Sequence, residues 1–294
     1  MTGQAGRFRV SDHHSPTDRE RHSPEITIDL DAAHPARIYN YLAGGSVNFA
    51  VDRDAVDQAA TILPGGLDTV RHAIASMASF QARVVRYLLD EAGIQQFLKM
   101  GTVVPTGQDV HEIAQSVAHD TRVLYVGDDA TVLAHAHSLR RSSPNGVTGY
   151  IHGSLLDLEE ILREAPATLD LDRPLAILLP GALSFIPDER DPYRIVARLI
   201  DAVVPGSYLA LTHTSQDLRS ERMQEAADKF TKLLSDAYVV RSSDDIARFL
   251  DGLDLVDPGL VPIVDWRPSQ EDQAAETDAD LPLVPIFGAL ARKP

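Results

Sequence analysis

From Gly93 onward the chain alternates short apolar runs with stretches of helical spacing, and this alternation constrains its fold more than any other feature. The runs at 96–100, 122–126, 148–152, 175–179 and 207–212 read as strands. Between them, 110–117, 131–139, 155–162 and 193–203 carry apolar residues three or four apart. Strands separated by helices require right-handed crossovers, which build a mostly parallel sheet with helices on both faces. The last runs, 253–256 and 283–292, follow one another without a long helix, as in a terminal antiparallel pair. A doubly wound α/β domain is therefore expected over residues 93–294.

The preceding segment is helical. Ile38, Tyr41 and Leu42 share one helical face, Pro35 suits a first turn, and Gly44-Gly45 is a stop. A second short helix is expected over 52–63, closed by Pro64-Gly65-Gly66. From 67 to 92, Val70, Ile74, Met77, Phe80, Val84, Tyr87 and Leu88 mark a long amphipathic helix ending at Gly93. Residues 25–92 thus form an expected N-terminal helical cap. Residues 1–24 are polar and cannot bury enough surface to offset ordering entropy, so they read as a flexible tail. His13 and His14 in that tail read as solvated, and no metal is expected.

Charge narrows the function classes. With 43 acidic and 27 basic side chains, the net charge of −16 repels phosphate backbones and disfavours nucleic acid as a partner. No apolar run approaches the roughly 20 residues that cross a bilayer, and 1–24 lack the apolar core of a secretion signal. The absence of cysteine excludes disulfides and thiolate chemistry. A cytoplasmic protein acting on a small molecule is expected, with homo-oligomerisation left open.

In open α/β sheets, ligands bind beyond the carboxyl ends of the strands. Four ends carry the candidate chemistry: Lys99-Met100-Gly101-Thr102, Val126-Gly127-Asp128-Asp129, His152-Gly153-Ser154 and Leu179-Pro180-Gly181. No Walker loop, zinc motif or nucleophile elbow occurs. Longer stretches carry a resemblance. They include Pro35-Ala-Arg-Ile-Tyr-Asn-Tyr-Leu-Ala-Gly-Gly, Asn48-Phe49, Val110-His-Glu, Phe185-Ile-Pro-Asp and Pro205-Gly-Ser-Tyr-Leu-Ala-Leu-Thr-His-Thr. Together they resemble a family of S-adenosylmethionine-dependent methyltransferases common in filamentous soil bacteria. The resemblance spans most of the chain. It implies a class I, Rossmann-like methyltransferase fold, a seven-stranded sheet ending in an antiparallel hairpin. It also implies a cofactor site involving Gly101, Thr102, Asp128, Asp129, Ser154, Leu155 and Asn48.

Set against that family, this chain departs at the ligand-facing positions. Lys99 stands where the first strand usually ends in an acid, and Val103 replaces a turn glycine. Gly127 stands at the usual ribose-binding acid, Ser154 at another acid, Ser46-Val47 at a Lys-Asp pair, and Ser184 at a His. A lysine about 4 Å from a sulfonium would cost on the order of 4 kcal/mol at an effective dielectric of about 20. Losing a charged ribose contact would remove roughly 1.5–3 kcal/mol more.

The first expectation is therefore a methyltransferase-like scaffold with a depleted cofactor pocket, repurposed without a cofactor. It would be a cyclase, isomerase or lyase acting on a small, largely apolar metabolite in secondary metabolism. His213, Asp188 and Ser184 are its candidate catalytic residues, and Tyr39, Tyr41, Phe49 and Phe185 its candidate cavity lining. The alternative is a working methyltransferase in which Asp128 or Asp129 binds the ribose and Lys99 turns away. A non-catalytic ligand-binding or regulatory protein is the third.

Overall fold

A computed structural model describes residues 7–9, 27–61, 65–101, 109–129, 131, 145–217, 220–233, 238–269 and 284–294. Two short strands, β1 (Arg7–Arg9) and β2 (Thr27–Asp29), pair antiparallel. The expected flexible tail thus contains a strand whose backbone is tied to the segment that leads into the cap. Three helices follow: α1 (Pro35–Leu42), α2 (Ala50–Ala60) and α3 (Gly66–Asp90). His34 caps α1 by accepting from the Ala36 N–H. Asp52 reaches back to the Phe49 N–H at 2.8 Å and fixes the start of α2.

The central sheet contains β3 (Gln96–Met100), β4 (Arg122–Gly127), β5 (Val147–His152), β6 (Ala176–Pro180), β7 (Tyr208–Thr214), β8 (Asp254–Leu255), β9 (Val261–Pro262) and β10 (Ile286–Arg292). Their order is β5-β4-β3-β6-β7-β10-β8, with β9 also paired to β10. The first five are parallel, whereas β10 runs antiparallel to β7 and to both short strands. The strand before β10 is therefore two brief bridges rather than one continuous strand over 253–256. The order reverses between β3 and β6, where a crevice opens at the carboxyl ends.

The described crossover helices are α4 (Val110–Val117), α5 (Leu158–Glu164) and α6 (Pro192–Asp201). Thr131 is the one described residue of the expected helix at 131–139. Two further helices, α7 (Ser220–Leu233) and α8 (Ser243–Ala247), follow β7.

Core residues cover both faces of the sheet. One layer joins Leu98, Leu124, Ile177 and Leu209 to Ile161, Leu199 and Phe249. The other joins Phe97, Val123, Leu178 and Leu290 to Met77, Phe80, Val84 and Leu88 of α3. The long helix thus shares a core with the sheet instead of belonging only to the cap. Gly288 makes this contact close: a Cβ there would lie 2.9 Å from the Phe80 ring. Trp266 is fully buried edge-on to Phe80 and Tyr87, while Arg83 of α3 donates to the carbonyls of Trp266 and Ile263.

Candidate functional site

An open cleft lies over the ends of β3, β4, β5 and β6. Its floor is Gly101, Gly127 and Gly153; its apolar walls include Val126, Leu155, Phe185 and Ile186. Gly101 has φ +126°, and its N–H is bonded to the Val126 carbonyl. A Cβ at that position would lie 3.0 Å from the Ala182 Cβ, so glycine allows the strand end to pass beneath the turn after β6.

Lys99 does not line this cleft. It belongs to a strand buried along its whole length, and its Nζ lies 2.6 Å from Asp109 Oδ1 and over the Tyr125 ring. Asp109 is also the N-cap of α4, with Glu112 reaching back to its N–H. The expected clash between a free lysine and a sulfonium is therefore corrected, because the ammonium is buried beside a carboxylate.

The two aspartates after β4 have separate jobs. Asp129 is buried, accepts from the Thr131 N–H and hydroxyl, and lies 3.4 Å from Arg37, which also holds Asp52. Those bonds tie α1, α2 and β4 together, so Asp129 serves the scaffold. Asp128 lines the cleft with its side chain 46% exposed. His34 Nε2 approaches it at 3.6 Å from the cap.

Ser154 and Leu155 also line the cleft, yet the Ser154 hydroxyl is committed to the following turn, accepting from Leu156 and donating to Asp157. Thr102 and Val103 lie outside the described residues. Asn48, expected in the cofactor site, is engaged within the cap: its amide donates to Asn40 Oδ1 and the Gly45 carbonyl, and its Oδ1 accepts from Arg53. These bonds leave it holding the Gly44-Gly45 turn. Phe49 packs under Arg37, and Tyr41 joins the cap core with Arg71 near its ring. Neither borders the cleft. Tyr39 packs over Gly181, and burial raises its phenol well above the ordinary range. Phe185 alone of the four expected cavity residues is in the cleft wall.

His213, Ser184 and Asp188 come together, but around a residue that sequence reasoning missed. Arg241 is buried and donates to His213 Nε2 at 2.7 Å, to the Leu183 and Ile186 carbonyls, and to Asp188 at 2.6 Å. His213 is not beyond the strand but within it, paired with Phe287 of β10 and stacked near Phe249. Its Nδ1–H donates to the Thr214 carbonyl, so both ring nitrogens are bonded and the ring is neutral. Burial, reinforced by Arg241, lowers its pKa from 6.5 to about 4. Ser184 is buried beside Tyr238. Arg241 thus straps His213 and Asp188 to the Leu183 and Ile186 carbonyls, with Ser184 buried alongside.

Among the described residues, no group of three carboxylate or imidazole side chains could hold a metal. No helix among them is long and apolar enough to cross a membrane.

Strand order, the antiparallel last strand and a cleft at the switch point define a class I methyltransferase fold. The pattern of the S-adenosyl methyltransferase family matches residues 21–294, and the chain belongs to that family. The chain is similar to a DUF574 family protein from Streptomyces avermitilis MA-4680, with 35% identity and a TM-score of 0.84 over 90% of this chain and 99% of that one. It is also similar to a methyltransferase candidate from Thermobifida fusca YX, with 32% identity and a TM-score of 0.80 over 90% and 97%. No curated protein matches it.

Proposed function

We propose that the protein is a working S-adenosylmethionine-dependent methyltransferase whose ribose-binding acid is Asp128. The cleft fits the cofactor's chemistry: three strand-end glycines leave backbone at the floor, and an exposed carboxylate stands at the end of β4. When bound, S-adenosylmethionine supplies an electrophilic methyl group on a sulfonium. Asp128 accepts hydrogen bonds from ribose hydroxyls, and Leu155 and Ile186 offer an apolar surface to the adenine. Phe185 extends that surface toward the acceptor, which we take to be a small, largely apolar metabolite.

The observation that carries this reading is the burial of Lys99 against Asp109, which removes the main electrostatic objection to the cofactor. The repurposed, cofactor-free reading drew on that objection among other departures, and on His213 or an acid for proton transfer. His213 lies buried within β7 with both ring nitrogens bonded, which disfavours it as that group. Calorimetry of the full chain with S-adenosylmethionine and S-adenosylhomocysteine tests the proposal. Micromolar binding of both is expected; no heat at millimolar ligand would sink it.

A further inference from the structure

Gly127, which lines the cleft, and Tyr150, packed against it, are fitted to one another. Tyr125 and Tyr150 are cross-strand partners on β4 and β5, and their rings stack 6.4 Å apart. Gly127, two residues beyond Tyr125, directs its missing side chain to the same face of the sheet. A Cβ on Gly127 would lie 2.6 Å from the Tyr150 hydroxyl and 3.7 Å from its Cζ. The phenol oxygen thus fills the space that a side chain at 127 would need, beside a residue that lines the cleft.

The ring is held in place by Tyr125 on one side and by Ala36 and Val47 of the cap. Among the described residues, nothing hydrogen-bonds its hydroxyl. Burial raises the phenol's pKa, and the nearby Asp128, Asp129 and Asp109 raise it further. It therefore stays protonated at neutral pH and can both donate and accept a hydrogen bond.

We infer that Tyr150 is a ribose-binding residue, its hydroxyl, admitted by the missing side chain of Gly127, meeting the sugar beside Asp128. The inference rests on the proposal that S-adenosylmethionine occupies the cleft. A carboxylate can only accept from the ribose hydroxyls, whereas a phenol next to a carboxylate can donate to one hydroxyl while Asp128 accepts from another.

The test is calorimetric titration of the full chain and its Tyr150→Phe variant with S-adenosylhomocysteine and with its 2′- and 3′-deoxy analogues. Tyr150→Phe is expected to weaken S-adenosylhomocysteine about five- to tenfold, the scale of one neutral hydrogen bond, and to leave at least one deoxy analogue unaffected. Equal affinity of both proteins for S-adenosylhomocysteine, or the same loss with both analogues, overturns the inference while leaving the methyltransferase reading intact. A wild-type protein that binds no S-adenosylhomocysteine overturns both. Thermal melting gives a second readout. Gly127→Ala should lower the Tm in the wild-type background and not in Tyr150→Phe, where the nearest ring carbon lies 3.7 Å away. An equal loss in both backgrounds contradicts the placement of the hydroxyl.

Discussion

Lys99 and Asp109, ten residues apart, form an ion pair of 2.6 Å in which both side chains are almost entirely buried. The pair joins the end of the first core strand to the start of α4, so each charge is answered before it reaches the cleft. Burying two such groups is tolerable only while both are present.

Lys99→Met should therefore destabilise the protein by about 3–5 kcal/mol, because Asp109 is left charged in a dry site. Lys99→Asp, which restores the acid of the family pattern, places two carboxylates together and should be less stable still. Urea denaturation measures both, and wild-type stability in either variant would refute the pairing.

Asp128→Asn should weaken S-adenosylhomocysteine roughly ten- to hundredfold, the scale of a hydrogen bond to a charged group. Its half-exposed side chain bears little on folding, so the melting temperature should hold within experimental scatter. Unchanged affinity in calorimetry would remove Asp128 from the site.

Asn48→Ala should separate structure from binding in the opposite sense. Losing its bonds to Asn40, Gly45 and Arg53 is expected to cost roughly 1–3 kcal/mol. Affinity for S-adenosylhomocysteine should stay within about twofold. A large affinity loss with normal stability would return Asn48 to the cofactor site.

Acid should weaken the fold through His213. Its pKa is about 4 when folded and 6.5 otherwise, so between these values the unfolded chain binds a proton that the native state refuses. Stability therefore falls as pH drops from 6.5 toward 4, by on the order of 3 kcal/mol. His111, also lowered mainly by burial, contributes with the same sign. His213→Gln, whose amide oxygen can still accept from Arg241, should flatten much of that slope in denaturation series across pH. An unchanged slope would rule out His213 as its source.

The regular elements were largely written in local pattern. Residues 35–42, 96–100 and 110–117 match their helices and strand because proline, glycine and apolar spacing mark the ends within a few residues. Helices α7 and α8 were not anticipated, although Met223, Ala227, Phe230 and Leu233 stand three or four apart in α7. β8 and β9 are two residues each, too short to show alternation.

The site was less legible because its logic is long-range. Lys99 gives no hint of its partner unless one notices that a charge within a wholly buried strand needs an opposite charge, and that Asp109 with Glu112 marks a helix start. Locally only Thr131, two residues on, singles out Asp129; Arg37, ninety-two positions earlier, ties it into the scaffold. Arg241 sits in a polar stretch and becomes central only when folding brings Leu183, Ile186, Asp188 and His213 around it.

Arg241 also separates two tasks that many pockets combine. The rim bearing Phe185 is fastened from behind through main-chain carbonyls, so its anchorage does not depend on which side chain points outward. Phe185 could be exchanged for a smaller or more polar residue to admit a different guest, and the strap underneath would keep the contour of that wall.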